Sequence, residues 1–232
     1  MEVAMATKKA DASTKTEDSL LIAKVAEWPG AFGAFKYSSR AIINNLGAVF
    51  ALIGISILVN IIGNAFNGNT SLMLIYSLAL TIASFIIGIA TYIVYLTGAK
   101  GDKIEVGEAL KQSLSVSLLV NMFVLSIMVG LSVIVGLLLF IIPGLIILPR
   151  LMLAPYFLID QKLDCVEAYK ASWNTTKGHS GKIWGTIGAT VVMILPIFTL
   201  IGIPLTIYLL FMYAAIGAIL YVYINKTGAI KQ

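Results

Sequence analysis

The hydrophobic residues of this chain form three long runs that contain no charged side chain. The runs extend over Ala41–Ala99, Gln112–Pro149 and Ile183–Asn225 and hold 59, 38 and 43 residues. A transmembrane helix needs about 20 consecutive apolar residues, so each run has room for two helices or most of two helices. The pattern predicts six spans, near residues 44–64, 72–97, 116–141, 144–160, 184–201 and 205–225.

These runs are apolar on every side, whereas strands of a membrane barrel alternate apolar and polar residues. Backbone groups in lipid must be hydrogen-bonded internally, which leaves helices as the solution. The composition agrees, with 59% hydrophobic and only 12% charged residues, against about 25% charged in soluble domains. We therefore expect an all-α, polytopic membrane protein of six transmembrane helices arranged as three hairpins.

A short polar phrase stands before two of the predicted hairpins and is nearly repeated. "KIEVGEALKQSL" occupies Lys103–Leu114 and "KLDCVEAYKASW" occupies Lys162–Trp173, while a fainter copy, "AFKYS", occupies Ala34–Ser38. The repetition predicts three pseudo-repeats, about 28–98, 103–160 and 162–225, within a membrane domain of residues 25–232. Residues 1–24 are rich in Ala, Lys, Thr and Ser and predict a disordered cytosolic tail.

On a helix, the repeated phrase forms one apolar stripe and one charged face. The stripe comprises Val106, Ala109, Leu110, Ser113 and Leu114 in one copy and Cys165, Ala168, Tyr169, Ser172 and Trp173 in the other. Such a helix is expected to lie flat at the inner membrane interface. We therefore expect an amphipathic interfacial helix before each hairpin, with Leu110, Leu114, Tyr169 and Trp173 toward the acyl chains, and Asp164 capping the second copy.

Basic residues predict the orientation, because short loops that hold Lys and Arg stay in the cytoplasm. The turns within the predicted hairpins hold none: "NGNT" at Asn67–Thr70, Pro143–Gly144 and Gly202–Pro204. We expect both termini to be cytoplasmic and the protein to lie in the cell (plasma or inner) membrane. The net charge of +5 follows from this topology, so no nucleic-acid partner is expected. Anionic lipid headgroups are plausible ligands of the basic face.

The candidate functional residues are polar groups within or beside the spans. Arg150 is the one charge inside a span, and helical geometry places it roughly 15 Å from Asp160. Three roles are open for Arg150. It could extend its side chain to the outer headgroups, or it could hydrogen-bond the backbone carbonyls freed near Pro149 and Pro155 or the side chain of Asn60 or Asn121. It could also bind an anionic lipid or solute. Asn60 and Asn121 are expected to hydrogen-bond between helices. The candidate interfacial residues are Asp160, Lys170, Trp173 and Lys111.

One segment also carries a family resemblance. Between Ile142 and Gly178 stand Pro143–Gly144, Arg150, Pro155, Asp160, Glu167–Ala168, Ser172–Trp173 and Lys177–Gly178. In these residues the segment resembles the membrane domain of the glycerophosphoryl diester phosphodiesterase family and related prokaryotic multi-pass membrane proteins of unknown function. The resemblance implies a six-helix membrane bundle. It does not imply hydrolysis, which in those enzymes resides in a separate soluble barrel with His and carboxylates around a metal.

No set of catalytic, cofactor-binding or metal-binding residues is predicted. The single histidine, His179, has no second ligand at metal-binding spacing. "GHSGK" at Gly178–Lys182 resembles the end of a phosphate-binding loop, but Thr176 and Ile183 replace the Gly and the Ser or Thr that the loop requires. We therefore expect no cofactor and no enzymatic activity.

The leading interpretation is an accessory or scaffold protein. It would engage lipids, a membrane protein partner or a second copy at the cytosolic interface. The alternative is a small transporter or channel, which would need a polar path through the membrane. The third is a lipid-modifying enzyme.

Overall fold

The computed structural model describes residues 22, 25, 27–65, 70–139, 141–198 and 202–229. All regular structure in these residues is helical, which confirms the all-α prediction. We number the helices α1 Phe35–Asn44, α2 Leu46–Ala65, α3 Thr70–Lys100, α4 Val106–Ser113, α5 Val116–Leu139, α6 Ile141–Leu151, α7 Ala154–Gln161, α8 Cys165–Lys177, α9 Ser180–Ile194, α10 Gly202–Tyr213 and α11 Ile216–Ala229, with a 3-10 turn at Leu195–Phe198.

Four helical segments in the described residues are long and apolar enough to cross a membrane. They are Ile75–Lys100, Val116–Leu139, Ser180–Ile197 and Gly202–Lys226. A fifth is added if α1 and the first part of α2, which meet at 79°, count as one bent span. The chain is therefore a helical membrane protein with four to five candidate spans.

The predicted span near 144–160 is divided between α6 and α7. The helix is interrupted at Met152 and Leu153, between Pro149 inside α6 and Pro155 in the first turn of α7. Each proline removes a backbone donor and crowds the preceding turn, so the interruption has a local cause. Neither half alone is long enough to cross a membrane.

One residue of the predicted tail falls among the described residues. Ile22 is 1% exposed and belongs to the hydrophobic core, although it falls within the predicted tail of residues 1–24. The other residues of that tail lie outside the described residues, as do Asn67, Gly68 and Asn69 of the first predicted turn.

The three copies of the repeated phrase share a pair of fully buried small residues. Ala34 and Ser38, Ala109 and Ser113, and Ala168 and Ser172 each have 0% of their surface exposed. In each copy the short helix, α1, α4 or α8, is followed within one or two residues by a long apolar helix, α2, α5 or α9. Small side chains allow helices to approach closely. The repeated Ala and Ser are therefore packing residues, and the stripe faces the protein.

This packing corrects the expected orientation of the stripe. The Tyr169 hydroxyl lies 3.0 Å from the Ser132 hydroxyl of α5, the Trp173 ring packs under Arg150, and Leu110 packs against the core. The expectation that these three side chains face acyl chains is wrong, because neighbouring helices cover the stripe first. Leu114, at 55% exposed, remains available to lipid.

One expected local feature of the charged segments is confirmed, and the structure adds a second contact that the sequence did not predict. The Asp164 side chain accepts a hydrogen bond from the Glu167 backbone N–H at 2.7 Å, as an N-cap residue does. Asn45 lies at the bend between α1 and α2 and is 4% exposed. Its side-chain N–H donates to the Asp102 carbonyl at 3.0 Å, and its side-chain oxygen accepts from the Ile104 N–H at 2.8 Å. Asn45 thereby ties this bend to the α3–α4 connection.

Candidate functional site

A polar cluster joins the ends of three helices that are far apart in sequence. Lys100, the last residue of α3, forms an ion pair with Asp160 near the end of α7. The Tyr221 hydroxyl of α11 donates to the other Asp160 carboxylate oxygen at 2.7 Å. The Asp160 and Lys100 side chains are 16% and 42% exposed. We call this part of the molecule the Asp160 end.

Further contacts satisfy and brace the same cluster. The Gln161 amide nitrogen lies 3.4 Å from the Tyr221 hydroxyl and 3.3 Å from the Asn225 side-chain oxygen. The Tyr221 ring stacks on Tyr156, with centroids 5.9 Å apart, and meets the edge of Phe157 at 4.8 Å. The carboxylate is thus neutralised by a cation and bonded to a phenol, an arrangement that joins helices rather than exposing a reactive group.

The sequence singled out Asp160 but did not identify Lys100 and Tyr221 as its partners. A signal for Lys100 was present, since it ends one of the charge-free runs as Asp160 ends a predicted span. Tyr221 had no such signal, because many tyrosines occur in these spans.

A cavity of 790 Å³ lies between α3, α5, α7 and the junction of α10 with α11. Its lining includes Gly88, Tyr92, Ser126, Gly130, Tyr156 and Gly217, and none of its lining residues is charged. The volume falls within the range of about 300–1,000 Å³ that is typical of small-molecule sites. Tyr92 is 39% exposed, so the cavity borders the outer surface of the helices. We call it the tyrosine cleft.

Two of the hydroxyl groups that line the tyrosine cleft, those of Thr91 and Ser126, are engaged by their own helices. Thr91 donates to the Ile87 carbonyl and Ser126 donates to the Met122 carbonyl, each at 2.8 Å. An ion or a strongly polar solute needs charged or free polar partners when it leaves water. The lining suits an apolar or amphipathic molecule better.

A second cavity, of 570 Å³, lies at the Asp160 end beside the start of α5. Its polar lining residues are Gln112, Ser115, Ser117, Asn121 and Lys162, and its apolar ones are Ile93, Leu118, Leu158, Ile159 and Leu163. One half of the lining is therefore polar with a single cation, and the other half is aliphatic. We call this cavity the Lys162 pocket.

The two candidate asparagines bond within their own helices. Asn60 donates to the Ser56 carbonyl at 2.8 Å and Asn121 to the Ser117 carbonyl at 3.0 Å, each one turn earlier. The described residues offer Asn121 no partner on another helix, so that expectation is wrong for Asn121. The structure brings Asn121 to the Lys162 pocket instead.

Arg150 contacts the short helix α8. Its guanidinium carbon lies 4.8 Å from the centroid of the Trp173 ring, within the range of a cation–π interaction. Its carbonyl oxygen accepts from the Ser172 hydroxyl at 2.7 Å and the Thr176 hydroxyl at 3.2 Å. Arg150 lies in the last turn of α6, where carbonyl oxygens lack a helical partner four residues further on and need another donor. This geometry favours a structural role for Arg150, with Trp173 as a partner that sequence reasoning did not identify.

The remaining candidates lie apart from these contacts. Lys111 and Lys170 are exposed, on the charged faces of α4 and α8. The His179 ring nitrogen Nδ1 lies 3.1 Å from the Thr175 carbonyl oxygen. No cluster of three or more His, Cys, Asp or Glu side chains that could hold a metal occurs in the described part of the chain.

The fold and the two cavities define a helical integral membrane protein with amphipathic spaces between its helices. No family model, curated protein or solved structure matches this chain. The resemblance of Ile142–Gly178 to the phosphodiesterase-associated membrane domain therefore stays a prediction.

Proposed function

We propose that this chain is a non-enzymatic integral membrane protein that binds lipid and acts as an accessory or scaffold in the cell membrane. The tyrosine cleft is the observation that supports this role most directly. It is large enough for a lipid chain, it lacks charge, and it borders the surface that the helices present to the bilayer. A cavity of that kind in a membrane is favourable for hydrocarbon and unfavourable for ions.

The alternative functions have less support from the same residues. A transporter of polar solutes would need a path lined by unsatisfied polar groups, whereas Thr91 and Ser126 bond their own helices. A lipid-modifying enzyme would need an accessible acid, base or nucleophile, whereas the Asp160 carboxylate is already bonded to Lys100 and Tyr221. Exposed lysines such as Lys111 and Lys170 remain available to anionic headgroups or to a protein partner.

Filling the tyrosine cleft tests the proposal. A Cβ atom built on Gly88 or Gly130 meets nothing within 4 Å, so Gly88→Leu and Gly130→Leu can occupy the cleft without displacing backbone. Gly54 of α2 is equally open but does not line the cleft, and Gly54→Leu is the matched control. We expect the cleft variants to retain fewer lipid molecules per protein after purification in mild detergent, as counted by mass spectrometry.

Three outcomes of that measurement would contradict the proposal. Equal lipid content in all three variants would show that the cleft does not hold lipid. A stoichiometric polar solute retained by the unaltered protein and lost with Gly130→Leu would favour the transporter. Chemical conversion of the bound lipid would favour the enzyme.

We further propose the finer topology of six spans in three hairpins with both termini cytoplasmic. The Asp160 end supports it, since Lys100, Asp160 and Asn225 stand near the C-terminal ends of α3, α7 and α11 and contact one another through Tyr221 and Gln161. The helices that form the second half of each hairpin, α3, α7 and α11, would then all end on the same side of the membrane. In this proposal α6 and α7 together form one interrupted span.

Cysteine labelling tests the topology. In a Cys165→Ala background, an impermeant thiol reagent added outside cells should label cysteine at Asn67 or Ile203 and not at Lys103 or Lys170. Gly144 is unsuitable for this purpose, because a Cβ there would lie 2.6 Å from the Leu137 side chain. Labelling of the two lysine positions from outside would reverse the proposed orientation.

A further inference from the structure

We infer that the Lys162 pocket binds the phosphate group of a phospholipid, with an acyl chain of the same molecule following α5 into the tyrosine cleft. The inference rests on the proposed lipid-binding function and adds the chemical group that the protein recognises. It depends on the single cation of the pocket, on its hydrogen-bond donors, and on the spacing of the two cavities along α5.

Lys162 is the one charged residue that lines the pocket, and the acidic residues of the neighbouring segments contact other groups. Asp160 is paired with Lys100, Asp164 caps α8 through the Glu167 N–H, and Glu108 accepts from the Gln112 amide at 3.3 Å. Among the described residues no ion pair is formed by Lys162. Its backbone is left-handed, with φ 51 and ψ 35, and ends α7 at the pocket. The pocket therefore has a local positive charge and is suited to an anion.

The other polar groups supply donors for an acceptor-only ligand. The oxygens of a phosphodiester accept hydrogen bonds and cannot donate them, and charge-assisted bonds to them are the strong ones. A lysine ammonium has three donors and a side-chain amide has two. Asn121 directs its amide nitrogen to the Ser117 carbonyl at 3.0 Å and the Ser117 hydroxyl at 3.5 Å, so its two N–H donors have acceptors within α5. Gln112, which lines the same pocket, directs its amide nitrogen to Glu108 alone among the described residues, and its second N–H remains for a ligand. The hydroxyls of Ser115 and Ser117 add further donors.

The spacing of the two cavities matches one lipid molecule. Ser117 and Asn121 of α5 line the Lys162 pocket, and Leu125, Ser126 and Gly130 of the same helix line the tyrosine cleft. From residue 117 to residue 130 an α-helix rises roughly 20 Å. One leaflet, including its headgroups, is about half of a 40–45 Å bilayer. A lipid with its phosphate at Lys162 would thus have its chain beside the cleft.

The aliphatic half of the Lys162 pocket distinguishes a lipid from free phosphate. Leu118, Leu158 and Ile159 are among the five aliphatic residues that line the pocket. Inorganic phosphate would leave this surface uncovered, whereas the glycerol ester region of a phospholipid would bury it. We therefore expect a phospholipid to bind and inorganic phosphate to compete weakly.

The experiment uses the purified full chain in nonionic detergent and measures lipid binding by native mass spectrometry. Three probes are compared: phosphatidylglycerol, diacylglycerol with the same chains, and inorganic phosphate as a competitor. Lys162→Gln removes the proposed contact, Asn121→Leu removes a polar side chain from the lining, and Lys170→Gln removes an exposed charge outside the pocket as the matched control. Thermal unfolding of each variant establishes that it is folded.

We expect the unaltered protein to bind phosphatidylglycerol more tightly than diacylglycerol. Lys162→Gln should weaken phosphatidylglycerol binding about fivefold, the equivalent of about 1 kcal/mol per lysine near an anionic surface, and should leave diacylglycerol binding unchanged. Lys170→Gln should change neither. A further possible result is that millimolar inorganic phosphate displaces the lipid from the unaltered protein but not from Lys162→Gln. That result would support the phosphate site and identify free phosphate as a second ligand of it.

Equal binding of phosphatidylglycerol and diacylglycerol by the unaltered protein would overturn the inference. So would equal weakening by Lys162→Gln and Lys170→Gln, which would indicate general surface attraction. Either result is distinguishable from failure of the proposed function. If Gly130→Leu still lowers the retained lipid, lipid binding stands and only the phosphate assignment fails.

Discussion

The contact between α1 and α3 at Gly98 offers a sharp test of the packing. A Cβ atom at Gly98 would lie 2.5 Å from the Ala41 carbonyl oxygen and 3.0 Å from the Asn45 amide nitrogen. Normal contacts of this kind are about 3.5 Å, so α1 would have to move by roughly 1 Å. The same displacement would disturb the two hydrogen bonds by which Asn45 ties the bend to the α3–α4 connection.

The magnitude follows from a matched pair of substitutions in α3. Gly98→Ala and Gly88→Ala gain the same helix propensity, about 1 kcal/mol, but a Cβ at Gly88 meets nothing within 4 Å. The overpacking cost at Gly98 is about 1–3 kcal/mol. Because the propensity gain is common to both variants, the difference between their free energies of unfolding measures the cost of the close approach of α1 and α3 at Gly98.

Thermal unfolding in detergent micelles, followed by tryptophan fluorescence, is a suitable assay. A change of 1 kcal/mol shifts Tm by about 2–4 °C in a domain of this size. We expect Gly88→Ala to raise Tm by a few degrees and Gly98→Ala to lie about 2–12 °C below it. Identical Tm values for the two variants would refute the close packing of α1 against α3.

Three further substitutions probe the polar contacts. Asp160→Asn should lower stability by about 1.5–3 kcal/mol, as loss of charged hydrogen bonds does. The double variant with Lys100→Met should lose less stability than the sum of the two single variants. Strict additivity of the three stability changes in thermal unfolding would contradict the ion pair. Asn45→Ala should cost about 1–3 kcal/mol, because it removes both hydrogen bonds between this buried side chain and the α3–α4 connection. An unchanged Tm would exclude that role. Arg150→Leu should lose about 0.5–2 kcal/mol of cation–π stabilisation while Arg150→Lys keeps part of it, and in a Trp173→Leu background Arg150→Leu should have little effect on Tm.

The sequence predicted the features of this protein that depend on local composition. Long charge-free runs indicated membrane helices, because the thickness of the bilayer sets the length of an apolar helix. Asp164 was recognised as a helix cap, since its hydrogen bond reaches only three residues. The repeated phrase indicated three equivalent short helices, and the same Ala and Ser positions are fully buried in all three. Asp160 was a candidate because the charge that ends the predicted span near 144–160 is visible without a structure.

Tertiary structure decided which surfaces and side chains meet. An apolar stripe at helical spacing shows that one face is buried but not whether lipid or protein covers it, and here other helices cover Tyr169 and Trp173. The ion pair of Lys100 with Asp160 joins residues 60 apart in the chain. Which residues pair in this way depends on which helices pack beside each other, and the local sequence pattern does not encode that. The tyrosine cleft and the Lys162 pocket arise for the same reason: each is a space between several helices, and its shape belongs to their arrangement rather than to any one of them.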